Sequence, residues 1–278
     1  MTVLEVLKAA TEYLAQRKVE NPRLNAEHLL AHSLGKAKRI DLYLDFERPL
    51  GEKERAPLRD LVKRRAEGLP LQHLLGSVDF LGKIYLSDKR ALIPRPETEQ
   101  LVELVLTLVP DAPQRLLDVG TGSGVVALSL ALARPQATLF ACDLSEEALA
   151  LARENAKRLN LPLVTFASCD MLTGVVGPFH GIVANLPYIP DGDIAGLSRE
   201  VQHDPLMALA GGVEGLDLIR RLIVEAVPLL APSGFLALEI GHDQAEAVRK
   251  LLMENNYRDI ALHPDYQGVQ RFVIAKHG

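Results

Sequence analysis

Leu116-Leu117-Asp118-Val119-Gly120-Thr121-Gly122-Ser123-Gly124 decides the fold. A short apolar run ends on glycines at alternate positions and passes at once into an apolar helix over 124–133. Strand, glycine turn and helix in immediate succession open a parallel α/β unit, and glycine lets the backbone turn sharply and lets a ligand approach closely. Working outward, further buried strands are predicted over 138–142, 163–167, 181–184 and 235–240, beside Arg115–Val119. Helices at 146–159, 216–229 and 244–255 alternate with them, and 260–262 with 269–275 reads as an antiparallel pair. The expectation is a doubly wound α/β sheet with an antiparallel edge hairpin.

Ligands bind beyond the carboxyl ends of such strands. A dinucleotide fingerprint needs Gly or Ala where Val125 stands, and no Lys-Ser/Thr pair follows the glycines as in a phosphate-cradling loop. The second strand ends in Cys142-Asp143-Leu144, about twenty residues beyond the loop, where an acid can accept from both hydroxyls of a ribose. The third closes on Asp170-Met171, an acid to accept from an amino group and a thioether to lie on a flat base. Each alone is more often a helix cap or core filler. Together with Asp118, Gly120, Thr121, Gly122 and Gly124 they describe a ribose and a purine with no required phosphate. S-adenosylmethionine fits that description.

The fourth strand stops at Asn185-Leu186-Pro187-Tyr188. Pro187 restricts Leu186 and cannot donate, so the backbone leaves the ladder here. Asn185 offers an amide oxygen, the adjoining carbonyls have no strand to join, and Tyr188 adds an aromatic face. Such a cluster suits a planar NH2 group, although four residues by themselves read as readily as a strand-ending turn.

The 278 residues are 48% hydrophobic and 24% charged, with a net charge of −5 that weighs against a broad nucleic-acid surface. Two cysteines, Cys142 and Cys169, form neither a zinc framework nor a disulfide scaffold, and no metal site is expected. No apolar stretch has the length of a membrane span, and no signal core opens the chain; a cytoplasmic protein is expected.

Before the sheet, residues 1–75 read as a small all-helical recognition domain, with helices over 2–17, 22–34 and 52–67. Residues 76–95 read as a β-hairpin and linker, and 96–278 as the sheet domain. Pro94 and Pro96 bracket Arg95 and hold it extended ahead of a helix whose first turn carries Glu97. Taken alone, that segment is a stiff linker.

The glycine loop, the acid at 143 and the tetrapeptide together resemble the class I S-adenosylmethionine-dependent methyltransferases acting on amino groups. The wider pattern is most similar to the release-factor glutamine methyltransferases (the HemK family). It is carried by LQHLLGSVDFLG (71–82), LIPRPETEQLVE (92–103), the 199–223 stretch with its GGVEGL, and LALEIGHDQ (236–244). The resemblance spans nearly the whole chain. It departs at Leu186, where the family usually has a first proline; Asn-Leu-Pro-Tyr is more typical of ribosomal-RNA adenine dimethyltransferases.

The resemblance implies methyl transfer from S-adenosylmethionine to the side-chain nitrogen of the glutamine in the Gly-Gly-Gln motif of class 1 peptide chain release factors. Asn185, Leu186, Pro187 and Tyr188 would act at the transferred methyl, and Arg95 and Glu97 would join Asn185, Pro187 and Tyr188 in holding substrate. A monomer with a protein substrate and no stable nucleic-acid partner is expected. The competing readings are an adenine N6-methyltransferase on RNA or DNA, which shares the NH2-acceptor logic, and a binding protein without activity.

Overall fold

The computed structural model describes residues 1–36 and 38–277, which form two compact units. The first comprises Met1–Ser77 together with the detached segment Ser198–His203. The second runs over Val78–Leu197 and resumes at Asp204.

The first unit contains α1 (Val3–Gln16), α2 (Pro22–Ser33), a 3-10 segment (Arg39–Asp45), α3 (Glu52–Ala66) and α4 (Leu71–Leu75). Thr2 and Glu5 cap α1 reciprocally, each side chain accepting from the other's backbone N–H. Pro22 stands in the first turn of α2, where a missing N–H does no harm. Val3, Leu7, Leu14, Leu29, Leu30 and Leu58 fill the core between these helices. Arg65 is buried with its guanidinium satisfied: Nε donates to Asn25 Oδ1 (2.7 Å), Nη1 to the Leu69 carbonyl (3.2 Å), and Nη2 to Glu200 of the detached segment. The short α4 is absent from the sequence reading, because five residues between Pro70 and Gly76 give too little period to register.

In the second unit a two-stranded sheet, β1 (Ser77–Phe80) and β2 (Lys83–Leu86), precedes α5 (Pro96–Leu108). Then come β3 (Arg115–Val119), α6 (Val125–Ala133), β4 (Thr138–Asp143), α7 (Glu146–Arg158), β5 (Thr165–Ser168) and β6 (Phe179–Asn185). After several 3-10 turns follow α8 (Asp217–Ala226), β7 (Leu230–Glu239), α9 (Ala245–Glu254), β8 (Tyr257–Pro264) and β9 (Gln270–His277). The seven-stranded sheet has the order β5-β4-β3-β6-β7-β9-β8, parallel except where β9 joins its two neighbours. This is the expected doubly wound sheet with an antiparallel edge.

Side chains alternate across it. Leu117, Val119, Ile182, Ala184, Leu236 and Leu238 pack with α8 and α9, whereas Leu116, Val183, Phe235 and Ala237 pack with α5 and α6. Several boundaries move from expectation: β5 begins at Thr165 rather than 163, β6 at Phe179 rather than 181, and β8 at Tyr257 rather than 260. β7 begins at Leu230 rather than 235, the strand running through Pro232-Ser233-Gly234. α8 stops at Ala226 because Pro228 bends the next residues into a 3-10 turn.

Strand order reverses between β3 and β6, so their carboxyl ends flank the crevice where such sheets take ligands. Among the described residues no helix is long and apolar enough to cross a membrane.

Candidate functional site

The loop after β3 is built from inside. Gly120, Gly122 and Gly124 have φ of +69°, +55° and +85°, a region that side chains avoid. The backbone N–H groups of Gly120 and Thr121 both donate to the Cys142 carbonyl (2.9 and 3.0 Å), tying the loop to the end of β4. Asp118 is only 2% exposed, and its Oδ2 accepts from Thr121 Oγ1 (2.6 Å) and the Ala127 N–H (3.1 Å). Burial, with the nearby Asp143 charge adding to it, pushes this carboxyl up to about 6. Asp118 thus braces the turn and the start of α6. Gly124 has a packing role as well, since a Cβ there would lie 3.0 Å from that of Ala152 on α7.

Asp143 is aimed by two backbone donors, Gly122 N–H to Oδ2 (2.8 Å) and Ser145 N–H to Oδ1 (2.9 Å). Leu144 beside it is 60% exposed, an apolar face on offer to a flat ring. Asp170 Oδ1 accepts from Arg221 (3.0 Å), and Met171 is buried with a left-handed backbone. One cavity is lined by Asp118, Gly120, Thr121, Gly122, Asp143 and Leu144, by Asp170 and Met171, and by Asn185, Leu186, Pro187 and Arg95. Its lining does not include Gly124, Glu97 or Tyr188.

Asn185 and Glu239 are register partners at the ends of β6 and β7, on the face covered by α5. From the first turn of α5, Thr98 reaches both. Asn185 Nδ2 donates to Thr98 Oγ1 (3.0 Å), and Thr98 Oγ1 donates to Glu239 Oε2 (2.8 Å). Thr98 and Glu239 are 3% and 2% exposed. Burial, reinforced by Glu97, pushes the Glu239 carboxyl up to about 7 against the opposing bonds from Thr98 and Asn185 and the Arg271 charge. With the nitrogen of Asn185 engaged, Oδ1 is the acceptor it has for the cavity.

Leu186 is buried against the glycine loop: a Cβ on Gly120 would meet Leu186 Cδ2 at 2.9 Å. The backbone beyond is clamped by the GGVEGL stretch. Ile189 N–H donates to Leu209, Gly211 N–H to Ile189 and Asp191 N–H to Gly212 (3.1, 2.9 and 3.0 Å). Gln244 Nε2 donates to the Tyr188 carbonyl (3.0 Å), and Gly215 has no room for a Cβ, which would stand 2.1 Å from that oxygen. Burial pushes the Tyr188 phenol up to about 12, with Glu239 and Glu97 adding and Arg271 and Arg95 opposing. It stays neutral at any working pH.

Arg95 lines the cavity with Nη2 held by Asp204 Oδ2 (2.6 Å), whose other oxygen accepts from the Ile93 N–H (3.1 Å). Arg199 and Glu200, near the tetrapeptide in sequence, belong to the helical unit instead.

Sequence reading missed Thr98, Glu239 and Gln244. The one available signal was an acid inside the apolar run 235–240, at a position whose alternation faces the core.

The geometry therefore combines an acid aimed by two backbone donors, apolar neighbours beside it and an oriented amide at a strand end, all lining one cavity. Two family models match the chain: the PrmC N-terminal domain over residues 5–76 and the methyltransferase small domain over 98–198. A release factor glutamine methyltransferase from Deinococcus radiodurans is 42% identical over 277 residues, 99% of each chain. One from Moorella thermoacetica is 41% identical, covering 99% of this chain and 98% of its own. Among solved structures, a methyltransferase from Pyrococcus furiosus superposes with a TM-score of 0.56 over 71% of this chain and 90% of its own, at 20% identity, a likeness of fold. With full-length relatives at this identity, the chain belongs to the release factor glutamine methyltransferase family.

Proposed function

We propose that this protein transfers a methyl group from S-adenosylmethionine to the side-chain amide nitrogen of the glutamine in the Gly-Gly-Gln motif of peptide chain release factors. The observation that carries the reading is the orientation of Asn185. Its nitrogen is held by Thr98, which leaves its oxygen as the acceptor, and Asn185 and Leu186 both line the cavity, where that oxygen and the Leu186 carbonyl would make an acceptor pair.

The residues present fit the donor. Asp143, already aimed by two backbone N–H groups, would accept from the ribose hydroxyls; Leu144 and Met171 would cover the base, and Asp170 would accept from its amino group. The close Gly120–Leu186 approach joins that cradle to the acceptor strand. S-adenosylmethionine supplies a sulfonium-activated methyl. An amide nitrogen is a poor nucleophile because its lone pair is shared with the carbonyl. Accepting both N–H hydrogens, Asn185 Oδ1 and the Leu186 carbonyl favour a localised lone pair and fix its direction. Pro187 stiffens the turn, and Tyr188 is read as the residue that would pack over the bound amide. Orientation is the main lever in such a site.

Arg95, pinned by Asp204, and Glu97 at the start of α5 are read as substrate contacts. The helical unit is read as the part that recognises the release factor. The same acceptor pair could serve an adenine amine, but the full-length relatives favour the glutamine.

The test is labelled-methyl transfer to a purified release factor beside its Gly-Gly-Ala variant and a structured RNA. Label on the wild-type factor alone is expected, with Asn185→Ala losing at least about 100-fold in rate while donor affinity stays within a few fold. Label on RNA alone would overturn the reading.

A further inference from the structure

Thr98 lines the cavity and Glu239 lies behind it, outside the lining, and together they fix the Asn185 amide. A carboxylate has acceptors only, and a hydroxyl has one proton. Bonded to ionised Glu239, Thr98 must donate there and can only accept from Asn185. The order of donors is therefore imposed from the Glu239 end, and it turns the Asn185 nitrogen inward. Both residues are buried, so water cannot substitute for either partner.

We propose that Thr98 and Glu239 are positioning residues for methyl transfer, holding the Asn185 amide with its oxygen toward the acceptor nitrogen. The consequence for catalysis rests on the function proposed above. Once protonated, Glu239 becomes a donor. Thr98 can then turn its own proton toward Asn185, and the amide can rotate by half a turn. The site then presents NH2 to NH2, donors against donors. The charged and titratable groups facing Glu239 are Glu97 on α5, which opposes its ionisation, and Arg271 on β9, which favours it; Tyr188 stays neutral. The Glu239 carboxyl sits at about 7, so the switch falls within the working range.

Two readouts test this on the full chain. The first is the Asn185 side-chain amide in 15N NMR spectra of the cofactor-free protein, assigned by its loss in Asn185→Ala. Its shifts are expected to titrate with Glu239 and to stop doing so in Glu239→Gln. The second is kcat for methyl transfer against pH, which should rise along a single limb near 7. Thr98→Val should lower the plateau about 10- to 100-fold with KM for the release factor and donor affinity little changed, Thr98→Ser should restore most of it, and Glu239→Gln should abolish the limb. A part that is only structural would lower the plateau and keep the limb. An amide that ignores pH, or a limb that survives in Glu239→Gln, overturns the proposal. A titrating amide in a protein that methylates no release factor upholds the positioning and overturns the proposed function instead.

Discussion

Replacing Glu239 by Gln is expected to stabilise the protein above neutral pH while impairing transfer. The carboxyl has an ordinary value of 4.5 and is held at about 7 in the folded chain. A group whose pKa is raised on folding contributes stability that is fully present below 4.5 and lost as pH climbs through about 7. The difference of about 2.5 in pKa corresponds to about 3 kcal/mol, at 1.36 kcal/mol for each pKa unit. Gln does not titrate, so the stability gap between variant and wild type should open by about 2–3 kcal/mol between pH 4.5 and 8. Asp118 is raised in the same direction, to about 6, but it is common to both proteins and cancels in the difference. Urea unfolding followed by circular dichroism suits a chain without tryptophan. Stability curves that run parallel across this range would show that Glu239 titrates normally, and the account of its burial would be wrong.

Asp143→Ala should weaken S-adenosylmethionine binding by about 10- to 100-fold in calorimetry, since it removes a charged acceptor and leaves the Gly122 and Ser145 N–H groups without their partner. Gly120→Ala should cost about 1–3 kcal/mol in thermal unfolding, because the new methyl meets Leu186 and φ is +69°. In a Leu186→Ala background, itself less stable for the buried volume lost, the Gly120→Ala change should cost less, as the contact is relieved and only the backbone strain persists.

The sheet was largely legible because its central strands are apolar runs closed by chemistry-bearing residues: Val119-Gly120, Cys142-Asp143 and Ala184-Asn185 all end where their sequence says. Roles were less legible than positions. Asp118 read as a cofactor ligand by its place before the glycines, yet its carboxylate faces Thr121 and Ala127, contacts that depend on which way the strand's alternation falls. Thr98 read as one more residue in a first helical turn. Its partners Asn185 and Glu239 lie 87 and 141 residues away, and only strand register brings them together. Gln244 was likewise visible as a motif letter without a partner, because the Tyr188 carbonyl it holds carries no mark in sequence.

The detached segment Ser198–His203 bears on how such a protein could be inherited in pieces. A gene break after Ser77 would separate Arg65 from Glu200, leaving one nitrogen of a buried guanidinium, and its charge, without the carboxylate it meets there. Exchanging that unit whole therefore demands three junctions, one after Ser77 and two that bracket Ser198–His203.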